Sequence, residues 1–182
     1  MNIGLIFPNK DRRYKTIHLG LAYLVAYART VHNDLNFTIL DTRIATQRET
    51  KEFFSSDFDL IGMTVFSPVY FEVIRLFNTI KNRFPDVPVV LGGPYVTTMM
   101  EEIFEDTPAD FAVYGEGEIT FAELIDHLKG SRKISEIPGL MYKIQDGEIV
   151  KNVARPKIKD LSSIPLPAYD IFPMKRYHYI GW

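Results

Sequence analysis

The chain has no cysteine, which excludes a disulfide framework, thiolate metal ligation and a cysteine nucleophile within its 182 residues. It has no apolar run approaching the roughly 20 residues that a membrane-spanning helix needs. The opening residues, MNIGLIFPNK, read as a strand and a polar loop without signal-peptide architecture. The expectation is a cytoplasmic protein with no membrane partner. An excess of one charge is also missing. Lys and Arg total 21 against 23 Asp and Glu, a net charge of −2, so the basic footprint of a nucleic-acid binder is absent. The first strand is not followed by G-x-G-x-x-G, which removes the dinucleotide reading. His18, His32, His127 and His178 are scattered without paired ligand spacing, and no metal site is expected from them.

What is present is an ordinary core composition: 46% of residues are apolar, enough to set disorder aside. Short apolar runs alternate with helical patterns. Strands are expected at 2–7, 36–40, 60–65, 89–91 and 109–113. Helices are expected from about His18, over 48–54, through Val73, Phe77, Ile80 and Phe84, near 97–104 burying Met100, Ile103 and Phe104, and through Phe121, Leu124, Ile125 and Leu128. One strand and one helix per unit argue for an α/β protein with a flavodoxin-like, doubly wound, five-stranded parallel sheet in the order 2-1-3-4-5. The domain expected over 1–130 is followed by a β-hairpin appendage at 131–155, turning at Asp146-Gly147, and a Pro-rich linker at 156–182.

In an open sheet of this kind ligands bind outside the carboxyl ends of the strands. Three loops leave that edge. Thr64-Val65-Phe66-Ser67 carries hydroxyls and an aromatic ring, with Pro68 suited to the first turn of the next helix. Gly92-Gly93-Pro94 removes two side chains, so a ligand can approach the backbone. Tyr114-Gly115-Glu116-Gly117 offers an aromatic wall, a carboxylate and backbone N–H groups at a helix start. A Gly pair or a hydroxyl beside a helix is individually more often a turn or a cap; their joint placement on one edge makes the site. His18 joins them, because it stands where the first loop enters the first helix. Other uses of the fold are excluded by their residues. A flavin-phosphate loop would need Gly, Ser or Thr where Pro8 to Tyr14 has charge, and a phosphoacceptor receiver would need Asp where Thr64 stands.

The segments IHLGLAYLVAYAR, DLIGMTVFSPVYFEVIRL, VPVVLGGPYVTTMMEEIFEDTPADFAVYGEGEITFAELI and SSIPLPAYDIFP resemble, in order, the N-terminal cobalamin-binding domain of cobalamin-dependent radical S-adenosylmethionine enzymes. In that family the domain precedes a (β/α) barrel that holds a [4Fe-4S] cluster on C-x-x-x-C-x-x-C. The resemblance implies that Thr64-Val65-Phe66 stands for the S-x-L motif, with Phe in place of Leu, and that Gly92-Gly93 stands for the Gly-Gly motif along the nucleotide tail. D-x-H-x-x-G has no match between Pro8 and Gly20, which implies base-off cobalamin without the usual histidine ligand. Arg12, Arg13, Tyr14 and His18 are then the neighbours available to its lower face.

The implied function is the cobalamin-binding fragment of a radical S-adenosylmethionine methyltransferase. No catalytic residue is expected in these residues. S-adenosylmethionine, the [4Fe-4S] cluster and the partner barrel are expected in a C-terminal part beyond Trp182. The alternative is a degenerate domain that binds no cobalamin and docks the barrel. A crevice filled by Phe66 or Tyr95 would favour that alternative, and an open groove would favour cobalamin.

Overall fold

The computed structural model describes residues 1–9, 16–144 and 146–177. Arg12, Arg13, Tyr14 and His178 lie outside them. The elements follow in the order β1 (Asn2–Phe7), α1 (Leu19–Val31), β2 (Asn36–Asp41), α2 (Gln47–Ser55), β3 (Leu60–Thr64), α3 (Tyr70–Arg83), β4 (Val89–Gly92), α4 (Pro94–Met99), β5 (Phe111–Val113), α5 (Glu118–Leu128), β6 (Leu140–Lys143) and β7 (Ile149–Lys151). The sheet order is β2-β1-β3-β4-β5-β6-β7. The first five strands are parallel in the expected order 2-1-3-4-5. The hairpin extends the same sheet: β6 runs antiparallel to β5, and β7 antiparallel to β6. Gly147, with φ 81°, closes its turn by donating its N–H to the Ile144 carbonyl at 2.9 Å.

Near-continuous apolar strands are buried on both faces because helices cover both. Leu5, Val90 and Val113 belong to the core that α1 and α5 cover, while Ile61, Met63, Val65 and Leu91 belong to the core under α2, α3 and α4. Local signals set the helix starts. Thr46 and Glu49 form a capping box on α2, and a 3-10 turn at Ser67–Val69 containing Pro68 leads into α3. Val73, Phe77, Ile80 and Phe84 are buried as their spacing requires.

The expected fourth helix is broken. Met100 adopts φ 51°, α4 stops at Met99, and a 3-10 segment spans Met100–Phe104. The break leaves Met100 half-buried while Ile103 and Phe104 reach the core. The fifth strand is shorter than its apolar run, starting at Phe111. Just before it, the Asp110 carboxylate accepts from Val89 N at 2.7 Å and Lys81 Nζ at 3.0 Å.

The Pro-rich segment packs back onto the domain. Ala168 N donates to the Ala22 carbonyl of α1 at 3.1 Å, Arg29 pairs with Asp170 at 2.8 Å, and Phe172 and Tyr177 are buried. Among the described residues no helix is long and apolar enough to cross a membrane.

Candidate functional site

Side chains alternate across a strand. In the central strands the row facing α1 and α5 carries two glycines: Leu5 pairs with Gly62, and Gly62 with Val90, one step before Thr64 pairs with Gly92. A cavity of about 310 Å³ lies between this row and the first turns of α1 and α5. Its walls are mainly apolar, from Leu5, Leu21, Leu24, Val90, Val113 and Phe121, with Thr64 and His18 at the strand-end side. Apolar walls with few polar groups are the usual make-up of a small-molecule site.

The two glycines after β4 have different reasons to be glycine. A Cβ on Gly92 would meet nothing closer than the Val113 carbonyl at 3.9 Å, so Gly92 leaves open space. Gly93 has φ 102°, and a Cβ there would stand 2.8 Å from both Thr64 Oγ1 and the Val65 carbonyl oxygen. Its bareness is required by the fold. This departs from the sequence expectation that both glycines open the backbone to a ligand.

His18 caps α1, its Nδ1 accepting the Leu21 N–H at 3.0 Å. Its Nε2 lies 3.4 Å from Thr64 Oγ1. The edges of Phe7 and Phe66 hold the imidazole plane at centroid distances of 4.7 and 5.5 Å. Burial lowers the His18 pKa to about 4, so the ring is neutral at neutral pH. Arg43 lies over the Phe7 ring, 4.3 Å from its centroid. Arg43 forms a buried pair with Asp41 at 2.6 Å, and Asp41 also accepts the Tyr177 hydroxyl at 3.0 Å.

The structure gathers His18, Thr64, Phe66, Gly92, Gly93, Pro94, Gly115, Glu116 and Gly117 around the cavity. Phe66 stands in its wall and leaves it open, and Tyr95 is outside the lining, packing at a tilt against Tyr70 with ring centroids 4.6 Å apart. Two expected residues are not in the lining. Ser67 is exposed in the 3-10 turn. Tyr114 does not form the aromatic wall: strand alternation turns Val113 to the cavity and Tyr114 to the opposite core, where its hydroxyl donates to the Asn152 carbonyl at 2.6 Å and burial raises its pKa. Nor is the Gly115 N–H free, since it donates to Thr97 Oγ1 at 3.0 Å. The Glu116 carboxylate already accepts the Ile158 N–H at 2.6 Å. Gly62 was missed by sequence reasoning, although a glycine inside an apolar strand is a known sign of close approach. A Cβ there would meet Leu5 Cδ2 at 2.7 Å.

A family model described as a B12 binding domain matches residues 9–125. An uncharacterized methyltransferase of Pyrococcus horikoshii is 33% identical over 184 residues, covering 97% of this chain and 40% of that protein. The anaerobic magnesium-protoporphyrin IX monomethyl ester cyclase of Rubrivivax gelatinosus is 28% identical, covering 88% of this chain and 30% of its own length. Among solved structures, OxsB, a cobalamin-dependent S-adenosylmethionine radical enzyme with aqua-cobalamin and S-adenosylmethionine bound, has a TM-score of 0.75 at 25% identity, over 93% of this chain and 24% of that one. The chain therefore spans well under half the length of these relatives.

Proposed function

The chain belongs to the B12-binding domain family, and we propose that its cavity receives the nucleotide tail of cobalamin on behalf of a longer radical S-adenosylmethionine methyltransferase. One observation carries the reading. A glycine-floored, apolar cavity of about 310 Å³ opens at the carboxyl edge of the sheet beside Thr64 and Gly92. Its volume suits a flat base and its sugar, with the much larger corrin remaining outside the strand ends.

The residues present fit the group. Gly92 leaves open space at the floor, Gly62 lets Leu5 pack close along it, Leu21, Leu24 and Phe121 supply apolar contact, and Thr64 supplies a hydroxyl. Base-off binding is consistent with His18, whose Nδ1 is committed to capping α1. Bound cobalamin supplies a cobalt able to carry and release a methyl group. This chain contributes binding, orientation and exclusion of water from the tail. Its partner in the reaction would be a radical S-adenosylmethionine barrel, the source of the cluster for which these residues hold no cysteine.

Titration of the 182-residue chain with hydroxocobalamin, followed by visible absorption, tests the proposal. Saturable binding with the spectral change of base-off cobalamin is expected. Absence of binding overturns it.

A further inference from the structure

We infer that His18 is a positioning residue that turns the Thr64 hydroxyl proton into the cavity, while both of its own ring nitrogens stay engaged. The inference deepens the cobalamin reading and rests on it for the identity of the ligand.

A backbone N–H can only donate, so the Leu21 N–H at 3.0 Å requires a lone pair on His18 Nδ1. The neutral ring then has its single proton on Nε2. That proton points at Thr64 Oγ1, 3.4 Å away, which fixes the direction of the bond: the imidazole donates and the hydroxyl accepts. A hydroxyl has one proton to give. Among the described residues His18 is the one hydrogen-bond partner of the Thr64 hydroxyl, and Thr64 is only 5% exposed. With a lone pair occupied by His18, the Thr64 O–H remains to donate to an acceptor brought into the cavity that it lines. A hydroxyl shut in without such a partner is penalised, so a ligand bearing a nitrogen or oxygen lone pair at this point is favoured over an isosteric hydrocarbon.

The same geometry separates His18 from metal ligation. Presenting Nε2 as a lone pair would move the proton to Nδ1 and break the α1 cap. Presenting Nδ1 would break it directly. The edge contacts of Phe7 and Phe66 further hold the ring in plane.

Nitrogen NMR of the histidine-labelled chain, without ligand at pH 7, reads the tautomer directly. Protonated Nε2 with bare Nδ1 is expected; the reverse tautomer or an imidazolium overturns the inference. With hydroxocobalamin, His18→Asn, which keeps a capping oxygen but cannot reach Thr64, and Thr64→Val should each weaken binding about tenfold. The double variant should bind no more weakly than Thr64→Val alone, and strictly multiplicative losses would overturn the coupling. Electron paramagnetic resonance of the cob(II)alamin complex should show no nitrogen splitting that depends on His18. Splitting lost in His18→Asn would make His18 a ligand and refute the positioning role. If the wild-type chain binds no cobalamin, the proposed function fails by itself, and the tautomer measurement still decides the His18–Thr64 bond.

Discussion

Glu116, on the loop after β5, accepts the backbone N–H of Ile158 at 2.6 Å. One carboxylate thus borders the cavity and also holds the segment that follows the hairpin. A charge-assisted bond of this kind contributes about 1.5–3 kcal/mol where it is shielded from water. Glu116→Ala is expected to destabilise the chain by about 1–2 kcal/mol. It should also speed tryptic cleavage after Lys157 and Lys159, measured by mass spectrometry over a time course. Unchanged cleavage would show that other contacts hold the segment.

The two adjacent glycines should respond oppositely to the same substitution. Gly93→Ala forces an L-residue into φ 102° and places a methyl 2.8 Å from Thr64 Oγ1 and the Val65 carbonyl oxygen. A loss of about 2–4 kcal/mol in urea unfolding is expected. Gly92→Ala meets only open space and should change stability by less than about 1 kcal/mol, yet lower hydroxocobalamin affinity at least tenfold by occupying the cavity.

His18 sets an acid limit on stability. Its folded pKa of about 4 lies below its ordinary value of 6.5 because the ring is buried. Between these two values the unfolded chain binds a proton that the folded chain excludes. Stability therefore falls as the pH drops from 6.5 towards about 4, and this contribution flattens below that. The slope approaches about 1.4 kcal/mol per pH unit, for a total on the order of 3 kcal/mol. Arg43 and Asp41 act on the ring with opposite signs and leave burial dominant. Urea midpoints measured across this range should slope for the wild type and be flatter for His18→Asn.

The buried pair of Asp41 and Arg43 predicts an asymmetric response. Arg43→Met leaves the Asp41 carboxylate buried without its guanidinium, at an expected cost of about 3–5 kcal/mol. Tyr177→Phe removes one hydroxyl donor and should cost about 1–2 kcal/mol. Chemical denaturation of the two variants checks the ranking, and equal losses would contradict it.

The parallel strands and their order were legible because apolar runs covered on both faces, each followed by a helical pattern, admit few other arrangements. The edge bearing Thr64, Gly92 and Glu116 followed from that order. Other features depended on information a linear pattern does not carry. Gly92 and Gly93 are the same letter, and only φ separates the one that opens space from the one that the fold requires. Tyr114 was assigned to the cavity by its neighbourhood to Gly115, although alternation from Val113 puts it on the other face. The path of the last residues was hidden for a different reason. A Pro-rich segment has no periodicity, and Tyr177 finds its partner Asp41 at a separation of 136 residues.

That path also bears on the outer strands of the sheet. A seven-stranded sheet has two outer strands, β2 and β7, and exposed outer strands invite pairing with another chain. β7 has only three residues and ends in Lys151. β2 is twice as long, and the turn at Tyr169–Ile171 packs beside it. The Pro-rich segment thereby lies against part of the longer outer strand. A chain shortened before residue 165 would bare β2, and self-association on concentration is its natural consequence.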